Sequence, residues 1–339
     1  MANKILPKVT IAIPTYNRGL YISQAIESAL AQDYPNLEVI VSDNASNDNT
    51  LELVQKYRLD ERFIFYRKQS NVGSQKNWEK LLYEYATGEW ILFLGSDDYI
   101  IDKSFISKAI DLTTKSSNCV FCFSNIRLAY EADKRFVDRA IMDLPGLTQG
   151  TWYFWEYKKS SMIHIVGMLF NRNKAIEVEA FKLDAIGGEI ELISKLLLLG
   201  DVGFINTIAV AYRIHDNGDS YTASFDRLYR HYQCYKNVFE FGVNLHPDLH
   251  SKLVKWKKER IQGFFKTAFY NFLTENKYLA FKFLLRSSKD YPKEILPLFL
   301  QIKLLIAILI GFFFSERTFR KVRDMFFLKF YNKTAEPYA

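Results

Sequence analysis

Four short apolar runs alternate with stretches of helical periodicity over the first hundred residues, and that alternation leaves the chain few folds to choose from. Val9–Ile13 is mostly β-branched and ends at Pro14, the pattern of a buried strand. Tyr21–Gln32 then carries Ile22, Ala25, Ile26, Ala29 and Leu30 at helical spacing. Glu38–Ser42 reads as a second strand and Asn47–Tyr57 as a helix with Leu51 and Val54 inward. Phe63–Tyr66 follows as a third strand, Ser74–Ala86 as a third helix closed by Gly88, and Trp90–Leu94 as a fourth strand. Parallel neighbours need crossovers, so this βαβαβαβ order implies an α/β fold, a Rossmann-like, mostly parallel sheet with helices on both faces. Ligands of such sheets bind beyond the carboxyl ends of the strands. That rule selects Pro14–Arg18, Ser42–Asn47 and Gly95–Tyr99.

The rest of the chain changes character twice. Residues 101–222 are mixed, with a helix expected over Phe105–Thr114, a strand over Cys119–Ile126 and an apolar run Met162–Phe170. A helix over Glu189–Leu199, stopped by Gly200, precedes a strand over Ile208–Ile214. Beyond residue 225 only helical patterns occur. Ile261, Phe264, Phe265, Ala268, Phe269 and Phe272 form one apolar stripe, Thr274–Lys277 turns the chain, and Tyr278–Ser287 answers as the second arm of a hairpin. The 339 residues, 49% hydrophobic and 24% charged, suffice for two domains and exclude wholesale disorder. The expected division is 1–224 and 225–339.

Charge follows the same division. Residues 1–224 hold 24 Lys and Arg against 28 Asp and Glu, whereas residues 225–339 hold 21 against 10. A basic region crowded with Phe and Leu suits an anionic membrane surface better than a nucleic acid. Ile295–Phe314 is the most apolar stretch, but its uninterrupted part, Leu304–Phe314, is too short to span a bilayer. In Ser315–Phe330, Phe319, Val322, Phe326 and Phe330 share one face among Arg and Lys, the pattern of a helix lying in a membrane interface. The alternative is a helix packed on its own domain. Cys119 and Cys122 sit in an apolar run without a second Cys pair, which reads as reduced core thiols, as does Cys234. The apolar run before Pro14 is too short for a signal core, so the expected location is cytoplasmic, peripheral at the inner face of the membrane.

Chemistry concentrates at the selected strand ends. In Gly95-Ser96-Asp97-Asp98, adjacent carboxylates follow an apolar strand and would repel without a cation; oxygen ligands suit Mg²⁺ or Mn²⁺ bridging to phosphates. A helix cap or turn is the plainer alternative. Asp43, before Asn44, can accept a hydrogen bond from a nucleobase or ribose, or close an Asx-turn. In Pro14-Thr15-Tyr16-Asn17-Arg18, Tyr16 can stack on a base and Arg18 can meet phosphate.

Taken in order, Val9–Arg18, Glu38–Ser46, Asn71-Val72-Gly73 with Asn77, and Gly88–Asp98 resemble the nucleotide-binding half of the family 2 inverting glycosyltransferases. The resemblance weakens to about residue 220 and excludes the helical region. It implies a GT-A fold, a nucleotide-diphosphate sugar as donor, and Mn²⁺ or Mg²⁺. By it Thr15 and Asp43 line the nucleotide and Asn71 and Asn77 the donor pocket; Pro14, Tyr16, Asn17, Arg18, Asn44, Gly73 and Ser96 are expected with them in nucleotide or donor binding. Asp98 is implied as metal ligand, with Asp97 toward the sugar or ribose. Tyr212-Arg213-Ile214-His215 resembles a further family feature that implies His215 at the metal or diphosphate. The family's Glu-Asp pair at a helix start aligns with Gly188-Glu189, so Glu189 is the implied base and Glu191 the runner-up. The function implied is inverting transfer of a hexosyl or deoxyhexosyl group to an acceptor hydroxyl; the basic, Phe-rich tail suits a lipid-linked oligosaccharide, on the way to a bacterial surface polysaccharide, as that acceptor. A non-catalytic assembly protein of the same fold and a nucleotidyltransferase are the competing expectations; the second lacks a Gly-rich phosphate loop near Pro14. Oligomeric state is open.

Overall fold

The computed structural model describes residues 6–140, 144–156, 163–215, 224–301 and 308. The chain divides into two compact units, Met1–Tyr221 and Thr222–Ala339.

The first unit opens as the alternation requires: β1 (Val9–Thr15), α1 (Ile22–Leu30), β2 (Leu37–Asp43), α2 (Thr50–Val54), β3 (Phe63–Arg67), α3 (Ser74–Lys80) and β4 (Trp90–Phe93). There follow β5 (Tyr99–Ile100), α4 (Phe105–Thr113), β6 (Cys119–Tyr130), β7 (Phe136–Arg139), β8 (Leu147–Gln149) and α5 (Gly150–Glu156). The unit ends with β9 (Met168–Asn171), α6 (Arg172–Glu177), α7 (Gly188–Leu199) and β10 (Asp201–Ile214). The sheet runs β3-β2-β1-β4-β9-β6-β10-β5, with β7 on β6 and β8 on β10. β1 to β4 are parallel, as are β6 and β10, while β9 is antiparallel to both neighbours and β5 to β10. The carboxyl ends of β1, β2, β4, β6 and β10 therefore share one edge. Val9, Ile11, Ile13, Val39, Val41 and Leu92 are completely buried, with Ile22, Ala25, Ile26 and Ala29 of α1 packed among them.

Three local departures from the periodicity have physical causes. Pro14 extends β1 because the β1–β4 ladder has already ended at Ala12–Phe93, so its missing N–H leaves no bond unmade. α2 begins at Thr50 rather than Asn47 because the polar residues before it tie loops together. Asn47 N donates to Asn17 Oδ1 (2.9 Å), Gly19 N to Asp48 Oδ2 (2.9 Å) and Thr50 N to Asp48 Oδ1 (3.0 Å). α3 ends at Lys80, where a π-helical turn, Leu81–Tyr85, takes over. Cys119, Cys122 and Cys234 are buried free thiols, and the neighbouring Cys119, with burial, pushes Cys122 well up.

The second unit is helical: α8 (Phe225–Tyr229), α9 (His231–Leu245), α10 (His250–Glu275), α11 (Lys277–Asp290) and α12 (Pro292–Ile295). The α10–α11 hairpin turns at a single residue, Asn276, whose side chain caps α11 by accepting from Leu279 N. Its core is aromatic: Phe283 lies near Phe264, Phe265, Phe272 and Tyr232. Among the described residues no helix is long and apolar enough to cross a membrane. The interfacial segment expected over Ser315–Phe330, and most of Ile295–Phe314, lie outside the described residues.

Candidate active site

The loops that follow β1, β2 and β4, and the end of β10, meet at the shared edge of the sheet. Thr15 and Asp43 are register partners on β1 and β2 and are buried side by side. Asp43 Oδ1 accepts from Ser46 N (3.0 Å) and Ser46 Oγ (2.5 Å), the Asx-turn that the residue order allows. Its other oxygen, Oδ2, and Thr15 Oγ1 are buried with no hydrogen-bond partner. Arg67, at the end of β3, approaches that Oδ2 to 3.3 Å and donates to Ser46 O at 2.9 Å. Asp43 Oδ2 thus has an ion-pair neighbour but no hydrogen bond, and the Thr15 hydroxyl has neither, an arrangement that costs stability in the absence of a ligand.

Backbone strain is stored in the same loops. Asn17 (φ 52°) and Ala45 (φ 65°) occupy the left-handed region, the second without the local hydrogen bonding that lets Asn visit it. The Asn17 N–H to Ser46 Oγ bond (2.8 Å) holds the loops against each other. Tyr16 is 40% exposed. Asn44 Nδ2 donates to Asn71 Oδ1 (2.8 Å), Val72 N to Asn44 Oδ1, and Gly73 N to Asn71 Oδ1. Gly73, at φ +87°, then opens α3. Asn77, expected to line the donor pocket, is buried and bound to Ser42. Its Nδ2 donates to Ser42 O (2.9 Å) and its Oδ1 accepts from Ser42 Oγ (2.6 Å), fastening α3 to β2.

The acidic pair is held from two sides. His215 Nε2 lies 2.9 Å and Arg18 Nε 3.3 Å from Asp97 Oδ2. Burial opposes the Asp97 charge, but these two partners prevail and hold its carboxyl below the usual range. Asp98 is buried, and burial together with the Asp97 charge pushes its carboxyl well above the usual range. It accepts from Arg213 N at 2.8 Å, while Arg213 Nε donates to Asp97 O at 2.6 Å. The Arg213 guanidinium is fixed in turn by Gln24 Oε1 (2.7 Å), by Glu131, and by the rings of Tyr21 and Tyr99. Tyr21 also stacks on His215, with 5.5 Å between centroids. Ser96 is buried in the same turn. Gly95 matters by what it lacks: a Cβ there would lie 2.4 Å from Asp98 Oδ2 and 2.9 Å from Asp97 Oδ1.

These residues fit a divalent cation. Asp97 is already paired with Arg18 and His215, whereas the Asp98 carboxyl is driven toward protonation by burial and by Asp97, so a cation there would favour its charged form and find oxygen ligands. Among the described residues no three His, Cys, Asp or Glu gather at one point, so such an ion would complete its shell from bound phosphate or water.

The two candidate bases differ in surroundings. α7 starts at Gly188, beside the first turn of α3: Gln75 Nε2 donates to Phe181 O (2.6 Å), and a Cβ on Gly188 would lie 3.6 Å from Gln75 Oε1. A Cβ would meet only ordinary contacts at Gly188, so its own close packing does not demand glycine there. Glu189, in that first turn, is exposed. Glu191 is buried and bound to Lys195 at 2.7 Å, with Lys195 Nζ also donating to Val178 O. Glu191 thus serves the packing of α7, which argues against it as base.

Sequence reasoning missed two site residues. Arg67 ends a parallel strand, so the rule that selected the other loops extends to it. Arg213 stood inside a quoted motif, but its grip on both aspartates needs β10 to end beside the turn after β4.

The sequence profile of Glycosyl transferase family 2 matches residues 10–178. The poly(ribitol-phosphate) beta-N-acetylglucosaminyltransferase TarS of Staphylococcus aureus is 37% identical over 95 residues, 27% of this chain and 17% of that protein. The GalNAc(5)-diNAcBac-PP-undecaprenol beta-1,3-glucosyltransferase of Campylobacter jejuni is 36% identical over 97 residues, 28% and 31% of the two chains. The putative teichuronic acid biosynthesis glycosyltransferase TuaG of Bacillus subtilis is 33% identical over 174 residues, 51% and 66%. The matched stretch thus spans from 17 to 66% of these relatives' own lengths. The crystal structure of S. aureus TarS 1–349 with UDP-GlcNAc superposes with a TM-score of 0.57 at 19% identity, covering 70% of this chain and 67% of that one. At that identity the likeness concerns the fold, which is GT-A.

Proposed function

This chain carries a glycosyltransferase family 2 domain over residues 10–178, and we propose that it transfers a sugar from a nucleotide-diphosphate donor to a hydroxyl of a lipid-linked saccharide, with inversion. The observation that carries this reading is the pair of buried oxygens without a hydrogen bond, Thr15 Oγ1 and Asp43 Oδ2, the second with the Arg67 guanidinium at 3.3 Å, at the ends of β1 and β2. A nucleoside with donor groups satisfies both. Tyr16 stacks on the base, and Arg18 and Arg67 meet the ligand's negative charge.

Asp98 would hold Mg²⁺ or Mn²⁺, with His215, which lies on Asp97 at 2.9 Å, as the further candidate ligand; a bound ion would neutralise the departing diphosphate. Asp97, tied to Arg18 and His215, orients the sugar or ribose. Glu189, at the start of α7, takes the proton of the acceptor hydroxyl as that oxygen attacks the anomeric carbon from the face opposite the diphosphate. One displacement inverts the centre, and no covalent enzyme intermediate forms. The lipid-linked acceptor is supported by the name of the Campylobacter relative, whose substrate ends in PP-undecaprenol. The basic, Phe-rich region after residue 225 supports a peripheral position on an anionic membrane surface.

The test is a thermal-shift screen of UDP, CDP, dTDP and GDP with and without Mn²⁺. Stabilisation by one nucleotide, dependent on metal and lost in Asp98→Ala, is the expected result. No response to any nucleotide would leave a non-catalytic protein of the same fold.

A further inference from the structure

α11 is amphipathic in two senses. It buries Ala280, Phe283, Leu284 and Ser287 against the other helices of its unit. The opposite side carries Tyr278, Lys282, Leu285 and Lys289, spaced four, three and four residues apart. At 3.6 residues per turn these four fall within about 60° of arc. Tyr278 is 74% exposed and Leu285 71%, and Lys282 and Lys289 are exposed between and beyond them. No carboxylate lies on the stripe. The acidic residue that ends the helix, Asp290, is engaged by Tyr229 Oη at 2.7 Å and by Arg286 at 3.8 Å. Lys282 Nζ lies 4.7 Å from the Phe225 ring, which steadies its stem without neutralising its charge.

Isolated exposed apolar residues are ordinary. Tyr and Leu two turns apart on one face, alternating with Lys, are the composition of a helix lying in a membrane interface: the apolar groups enter the headgroup region while lysines reach the phosphates. Charge favours the same occupant, because residues 225–339 hold 21 basic against 10 acidic residues. Leu296 (51% exposed) and Leu300 (87%), after α11 in the chain, are exposed as well.

We propose that the Tyr278–Lys282–Leu285–Lys289 face of α11 is the surface by which this chain docks on an anionic lipid bilayer. The proposal rests on the reading of a lipid-linked acceptor and names the element that meets the membrane. The full chain is sedimented with phosphatidylcholine vesicles, with and without phosphatidylglycerol, as parent, Tyr278→Ser/Leu285→Ser and Lys282→Gln/Lys289→Gln. Binding only to the anionic vesicles, weakened about tenfold in each double variant at an unchanged unfolding midpoint, is expected. Tyr278→Trp should show a blue shift in fluorescence on adding those vesicles, beyond that of the parent. Parent-like binding by both double variants, or no added shift, overturns the proposal. So does a dimer that Tyr278→Ser/Leu285→Ser converts to monomer without loss of vesicle binding, since the face would then join two copies. Nucleotide stabilisation is measured on the same samples. Its absence from the parent would refute the transferase reading, while vesicle binding alone decides the role of α11.

Discussion

Arg213 donates its backbone N–H to Asp98 Oδ1 at 2.8 Å and its Nε to the carbonyl of Asp97 at 2.6 Å. One residue at the end of β10 therefore sets both members of the acidic pair, which follow β4. Arg213→Ala keeps the first bond and loses the second, together with the Gln24 and Glu131 contacts. Turnover should fall about a hundredfold, the scale of a misplacement near 1 Å, and Mn²⁺-dependent stabilisation by nucleotide should weaken. Arg213→Lys should fall between the two, because an ammonium cannot reproduce the guanidinium fork. Steady-state kinetics with a thermal-shift titration of Mn²⁺ checks this; a parent-like Arg213→Ala would refute the clamp.

Gly95→Ala tests the cradle under Asp98. The added methyl would sit 2.4 Å from Asp98 Oδ2, so the carboxylate must move. The unfolding midpoint should stay near the parent's, because the group displaced is a side-chain end, while metal-dependent nucleotide stabilisation is lost. Calorimetric titration of Mn²⁺ with UDP present separates the two effects.

Glu189→Gln and Glu191→Gln should fail differently. Glu189 is exposed, so its amide variant should fold normally, bind donor and lose turnover. Glu191 is buried against Lys195. Its amide variant leaves a buried ammonium without its carboxylate and should cost about 3–5 kcal/mol in denaturant unfolding. Full turnover in Glu189→Gln would remove it as base.

Acid should loosen the second unit through His231. Its ring is buried, stacked on Phe264 with 4.3 Å between centroids, and 2.8 Å from Tyr235 Oη. Burial pushes its pKa down to about 3, against about 6.5 in an unfolded chain. The folded form stays neutral where the unfolded form binds a proton. Its contribution to stability is thus complete above about pH 6.5 and is lost as pH falls toward 3, at up to about 1.4 kcal/mol per pH unit. His231→Phe should flatten the slope between those limits, as read from urea midpoints; an unchanged slope would assign it to other groups.

Much of this was legible in the chain. The alternation of strand and helix patterns over residues 9–94 determined the parallel half of the sheet, because hydrophobic period and crossover handedness are local properties. The same rule located Thr15, Asp43, Asp97 and Asp98, which lie at strand ends. Asn77 and Glu191 show its reach: both are polar residues in the right segments, but a sequence does not tell a buried partner from an open pocket. Ser42 takes the amide of Asn77, and Lys195 takes the carboxylate of Glu191. β9 running antiparallel between β4 and β6, the meeting of Arg213 with the acidic pair from 115 residues away, and the exposed stripe of α11 opposite its buried one were decided by tertiary structure alone. Each depends on which surfaces come together across long stretches of chain, and such contacts leave no period in the residues that make them.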